Sequence, residues 1–159
     1  MSAQNVTARD MFKRLEELKA LKVSRSSGVG TGRFYRSLEV DKVTVLKEII
    51  FPYPGIVVNY VAGLIRDATG DVVGVFAEKY YHDNEEGESG CIGYYAAVRP
   101  TKAKYVYDIR IPERNRLPWE PPSTYINEGT TEVEIPVIPE VRELIEMLSS
   151  AQAQREQIG

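Results

Sequence analysis

The sequence predicts an α+β fold: an antiparallel meander sheet of four or more strands, with an N-terminal and a C-terminal helix packed on it. Three observations predict it. Between residues 56 and 111 lie four runs rich in β-branched and aromatic residues, joined by short polar connections. Apolar residues recur at helical spacing near both ends of the chain. And 159 residues, 43% apolar and 27% charged, suit one globular core but would be cramped for two. A single domain over residues 1–150 follows. Residues 151–159, richer in Gln and charge, are expected to project or fray as the polar end of the second helix.

The first helix is expected over residues 7–22. Thr7 can cap it with Asp10 three residues on, and Ala8, Phe12, Leu15, Leu18 and Leu21 form its apolar stripe. Residues 24–33, SRSSGVGTGR, look like a flexible connection. Residues 34–50 are compatible with a hairpin around Asp41–Lys42 or with part helix, and the FPYPG run at 51–55 interrupts them. The strands then follow at 56–65, 72–81, 91–99 and 102–111. Their connections are short enough for hairpins. After a proline-rich surface loop, residues 131–138 can add an edge strand. Pro139 opens a helix at its favoured first position, whose Val141, Leu144 and Leu148 turn to the core.

Turn lengths set the registers. Arg66 falls opposite Asp71, His82 opposite Cys91, and Arg99 opposite Lys102. Because strand side chains alternate, one face collects Val58, Tyr60, Ala62, Leu64, Val73, Val75, Ala77, Ile92, Tyr94, Ala96, Val98, Tyr105, Tyr107 and Ile109. That face should lie under the helices. The other collects Asn59, Gly63, Gly74, Phe76, Glu78, Tyr80, Gly93, Tyr95, Arg99, Lys102, Lys104, Asp108 and Arg110. Its glycines leave flat room for a ligand. Phe76, Tyr80 and Tyr95 offer rings for base stacking, and Arg99, Lys102, Lys104 and Arg110 offer cations for phosphates. Arg114, Arg116 and Trp119 in the following loop extend the platform. A plain structural reading competes with this one: the same face, with Val57, Val61 and Ile65 on it, would serve as a half-covered sheet.

Charge does not oppose the platform. The net charge is −3, but Asp83, Glu85, Glu86 and Glu88 share one short loop, and the remainder is close to neutral. A single cysteine, no apolar run of membrane length and no signal-like N-terminus point to a cytoplasmic protein outside the membrane. Glutamine confined to the tails leans towards heat-adapted proteins. Catalytic and metal motifs fail on context. Gly28-Val-Gly-Thr-Gly32 follows a helix rather than a strand and lacks the Lys-Ser/Thr of a phosphate loop; Arg25 and Arg33 could help a loop there touch phosphate, and the simpler reading is a mobile linker. The run DNEEGESG has Tyr94 where a calcium loop needs glutamate. Cys91 and His82 lack a third orienting group, and Glu78 and Asp108 are partners for nearby cations. The reading is a non-enzyme without cofactor, metal or catalytic residue.

The plan resembles the single-stranded-DNA-binding proteins of thermophilic archaea called ThermoDBP and their relatives. The resemblance lies in an N-terminal helix, a sheet carrying YVAGLIRD, GVFAEKYY and KAKYVYDIRI, and a terminal helix VRELIEMLSSAQAQ. It spans most of the chain at the level of architecture and transfers no binding residue by position. It implies binding of single strands in an aromatic and basic cleft, and dimers supported by the terminal helix, although Arg155 interrupts the heptad seam here. The expected function is therefore single-stranded DNA or RNA binding with little sequence preference. The alternative is a protein–protein interaction or assembly protein, of a virus for instance, using the same face and the terminal helix as a homo-oligomer contact.

Overall fold

The computed structural model describes residues 6–28, 32–112, 119 and 124–158. Its elements run α1 (Ala8–Glu17), β1 (Leu21–Gly28), β2 (Gly32–Glu39), β3 (Asp41–Tyr53), β4 (Ile56–Arg66), β5 (Val72–Asp83), β6 (Glu88–Ala97), β7 (Thr101–Pro112), β8 (Thr124–Ile135) and α2 (Val141–Ile158). The eight strands form one sheet in the order β3-β4-β5-β6-β1-β2-β7-β8, every neighbouring pair antiparallel. The α+β class with both terminal helices stands.

Helix α1 starts on a reciprocal cap. Thr7 Oγ1 accepts from the Asp10 amide at 3.0 Å, and Asp10 Oδ2 accepts from the Thr7 amide at 3.1 Å. It ends earlier than the apolar spacing suggests, because Lys19 takes a left-handed φ of 58° and turns the chain into β1 at Leu21. The expected connection at 24–33 is instead largely strand. Ser26, Ser27 and Gly28 of β1 pair with Phe34, Arg33 and Gly32 of β2.

Only Val40 separates β2 from β3, yet the two strands stand five places apart in the sheet. Five strand spacings are about 24 Å in a flat sheet, whereas two peptide links reach roughly 7 Å. The sheet must therefore curl until the end of β2 meets the start of β3. The pairing agrees. Beyond Ser26–Phe34, β1 stays with β6 and β2 goes with β7, so the hairpin splays open. Of the two possibilities for residues 34–50, neither a hairpin of β2 with β3 nor a helix forms, and Arg99–Lys102 pairing of β6 with β7 is absent too. Two strands, β1 and β2, insert between β6 and β7.

Two cores result. The helix-side core packs Met11, Phe12 and Leu15 of α1 and Val141, Leu144, Leu148 and Ala151 of α2 on Val58, Tyr60, Ala62, Leu64, Val75, Ala77, Tyr94 and Ala96. Phe12 meets Tyr60 and Tyr94 edge-on at 5.5 and 5.1 Å. The inner core lies in the concavity and joins Val23, Ile65, Val73, Phe76, Tyr95 and Ala97 to Leu38, Ala103 and Ile135 of the β2-β7-β8 side. Hydrogen bonds from the Ala97 amide to the Pro136 carbonyl and from the Ile138 amide to the Ala97 carbonyl tie the far edge back to β6.

The β4–β5 and β5–β6 registers are each offset by two residues from expectation, with Ile65 opposite Gly74 and His82 opposite Ser89. A shift of two preserves the faces, which is why the helix-side assignment survives. Val73 is the exception. A bulge between Ile65 and Arg66 in the pairing moves it to the inner core. Tyr105, expected with Tyr94, packs against the inner core because β7 is no neighbour of β6.

Candidate functional site

Along β5 the inner face changes from closed to open. Phe76 and Glu78 are buried, Tyr80 is half-buried and His82 is exposed. Pairing sets Tyr95, Gly93 and Cys91 of β6 beside Phe76, Glu78 and Tyr80, and then Val23 and Arg25 of β1 beside Gly93 and Cys91.

Glu78, 5% exposed, is the sole buried charged residue among the described residues. Three donors meet it. The Tyr95 hydroxyl donates at 2.6 Å, the Tyr80 hydroxyl at 3.0 Å and Lys42 Nζ at 3.2 Å. Such compensation is what a buried charge requires. Lys42 also stands over the Phe76 and Tyr95 rings, at 5.3 and 5.8 Å from their centroids. Burial, then the Glu78 charge and hydrogen bond, hold the Tyr95 hydroxyl well above the usual phenol range; Tyr80 rises for the same reasons. Burial, then Glu78, pushes the Cys91 thiol up to about 11. These groups keep their protons at neutral pH, and the thiol is a poor nucleophile there. A cavity of about 40 Å³ lies among Arg25, Leu38, Lys42, Glu78, Tyr80 and Tyr95.

Above this cluster the concavity opens as a groove of about 290 Å³. Its walls are Arg25, Ser26, Ser27, Arg33, Phe34, Tyr35, Tyr80, Tyr81, Ser89, Gly90 and Cys91. No carboxylate is among these described residues. The Arg25 guanidinium lies 5.5 Å from the Tyr35 ring and 5.4 Å from the Tyr80 ring, and Arg33 lies 5.4 Å from Tyr35. Two cations thus alternate with two rings. Cation–π contact fixes the guanidinium planes while their N–H edges remain donors for an anion. Ser27 and Ser89 share a hydrogen bond of 3.1 Å beside them.

The predicted site residues fall into four groups. Tyr80 lines the groove. Phe76 and Tyr95 share its face but are 1% and 3% exposed, so the open stacking surface expected of them is corrected: the curled β2-β7-β8 side covers both rings. Of the predicted cations, Arg110 stands opposite Arg33 of the groove in the β2–β7 register, whereas Arg99, Lys102 and Lys104 are not among the groove's described walls. Arg99 pairs with Asp67 and Asp71, Lys102 with Glu132, and Arg110 with Asp108 and Glu128; Lys104 stands between Glu39 and Glu132 in the register. Trp119 is exposed, while Arg114 and Arg116 lie outside the described residues. The room expected above the glycines is also filled. A Cβ on Gly63 would meet the Val43 carbonyl and the Phe76 ring, one on Gly74 the Ala96 carbonyl, and one on Gly93 the Tyr95 hydroxyl.

Tyr35 and Lys42 lie in the ambiguous stretch 34–50 and are not readable as site residues there, and Arg25 and Arg33 suggest only a loop beside phosphate as long as 24–33 is read as a connection. The signal was present: Arg25-x-Ser27 and Arg33-x-Tyr35 flank a glycine-rich tip with the period of two of paired strands. Elsewhere, the Asp83 carboxylate accepts from the Glu85 and Glu86 amides and so shapes its own turn. No group of three metal-ligating side chains occurs among the described residues, and no described helix is long and apolar enough to cross a membrane.

Comparison with protein-family models, with curated proteins and with solved structures finds no match to this chain.

Proposed function

We propose that the protein binds single-stranded nucleic acid, DNA or RNA, with little sequence preference, and that the groove between β1, β2, β5 and β6 is the contact. The observation that carries this reading is the Tyr80–Arg25–Tyr35–Arg33 stack in a groove with no carboxylate among its described walls. Phosphates suit the guanidinium edges, and aromatic faces accept any base. Serine hydroxyls supply neutral hydrogen bonding that does not discriminate among bases. A fluorescence anisotropy titration with a labelled oligothymidylate at low salt tests it. The wild type binds and Arg25→Ala weakens binding by about ten-fold, the worth of one charge-assisted contact. Absence of wild-type binding at low salt overturns the reading.

A second reading, an interaction or assembly protein, draws on the exposed apolar side chains Ile49, Phe51 and Tyr53 of edge strand β3. The terminal helix gives it less support, because Val141, Leu144, Leu148 and Ala151 are spent on the chain's own core. Sedimentation of the pure protein tests it: a stable oligomer that ignores oligonucleotides favours this reading.

A further inference from the structure

The groove is one end of a longer surface. Residues paired across antiparallel strands share a face, so the registers trace rows over the sheet. One row runs Arg33, Ser27, Ser89, His82, Val57, from β2 to β4. The next runs Arg25, Cys91, Tyr80, Asn59, Ile49, from β1 to β3. Beyond β2 the first row continues to Arg110, which pairs with Asp108 and Glu128; from the groove arginines to β3 and β4 neither row contains a carboxylate. Phe51 completes the far end. It follows Ile50, which packs against the helix-side core, and sits in the bulge that sets Phe51 and Pro52 opposite Val57 of the first row, so Phe51 turns to the face of the rows. Ile49 and Phe51 are 59% and 72% exposed, although large apolar side chains gain from cover. The surface therefore offers cations at one end, a half-buried tyrosine midway, and an exposed aromatic at the other.

Resting on the nucleic-acid reading of the groove, we propose that a single strand crosses the β-strands along these rows. Its phosphates meet Arg25 and Arg33, and a base further along stacks on Phe51 beside Ile49. Four strand spacings make the track about 19 Å long, and the shortest single-strand sites hold about 4 nucleotides. A dinucleotide fills the arginine end alone and does not reach β3. Continuity of the face with the groove and the absence of acids along both rows from the groove arginines to β3 and β4 favour this polyanion over an apolar protein partner.

The test compares two probes, the thymidine dinucleotide by NMR titration and a labelled thymidine dodecamer by anisotropy, both at low salt. Phe51→Ala is expected to weaken the dodecamer by about five- to a hundred-fold, the range of one stacked base, and to leave the dinucleotide unchanged. Arg25→Ala is expected to weaken both. The exposure of Phe51 keeps the substitution compatible with folding, and an unchanged thermal unfolding midpoint verifies it. Equal effects of Phe51→Ala on both probes, or none on either, overturn the track while leaving the groove intact. Loss of an oligomer in Phe51→Ala with dodecamer affinity unchanged also overturns it and assigns Phe51 to a protein contact. If neither probe binds the wild type, the groove reading itself fails.

Discussion

The two faces of β4, β5 and β6 are made by the same residues' alternation, yet they end in different states. The helix-side face is a continuous apolar layer under α1 and α2. The inner face is divided: Phe76, Glu78 and Tyr95 are sealed beneath β2, β7 and β8, while Tyr80, Arg25 and His82 lie towards the open end. One face needs only local parity to be right. The other depends on where distant strands come to rest, and that decides which of its polar and aromatic groups meet solvent.

Tyr94 and Tyr95 test that contrast most severely. They are sequence neighbours on opposite faces, and both are buried. Tyr94→Ala empties the contact with Phe12, and Tyr95→Ala empties the inner core and removes a donor from Glu78. Each should cost about 3–5 kcal/mol in urea unfolding. A cost for Tyr95→Ala under about 0.5 kcal/mol, the level of an ordinary surface change, would show the inner face uncovered.

The next contrast is between ion pairs. Lys42→Ala leaves Glu78 buried without its cation and should destabilise by about 2 kcal/mol or more; Lys42 is part-exposed, so the full penalty for breaking a buried pair is not reached. Lys102→Ala removes an exposed pair with Glu132 and should cost under about 1 kcal/mol. Equal costs would deny the closed half its special character.

Smaller still is the effect at Cys91. Burial first and Glu78 second raise its thiol to about 11 from an ordinary 9.0. A raised folded-state value favours the protonated thiol, so its contribution to stability is full below the ordinary value and is lost as pH rises through about 11. Alkylation of the native protein should therefore climb with a midpoint near 11. Glu78→Gln removes a negative neighbour and should move that midpoint down; an upward or absent shift would separate Cys91 from the cluster.

The helix-side core was legible in the sequence because errors there came in twos. Registers offset by two residues still put Tyr60, Ala77 and Tyr94 together. The site was only partly legible. Strand alternation puts Tyr80 on the groove's face, and a cation partner for Glu78 follows from its chemistry, although that partner is Lys42 rather than a residue of β7. Arg99, Lys102 and Lys104 join the platform only through a β6–β7 hairpin, which two inserted strands displace, while Arg110 comes beside the groove through Arg33 of β2 instead. Those strands carry Arg25, Arg33 and Tyr35. Serine and glycine in SRSSGVGTGR have low strand propensity, and only the long-range pairing with β6 and β7 makes the segment a strand pair. The same pairing bends the sheet over Phe76 and Tyr95, which no local pattern announces.

The most direct measurement is the salt dependence of oligonucleotide binding in three proteins: the wild type, Arg25→Ala and Lys102→Ala. Each phosphate contact on a single strand adds about 0.7 to the slope of log affinity against log salt. Arg25 stands in the groove with no carboxylate among its described walls, whereas Lys102 of β7 is paired with Glu132 of the edge strand β8. Arg25→Ala should lower the slope by about 0.7 and Lys102→Ala should leave it unchanged. A slope that falls in Lys102→Ala and holds in Arg25→Ala would return the site to β7 and contradict the groove.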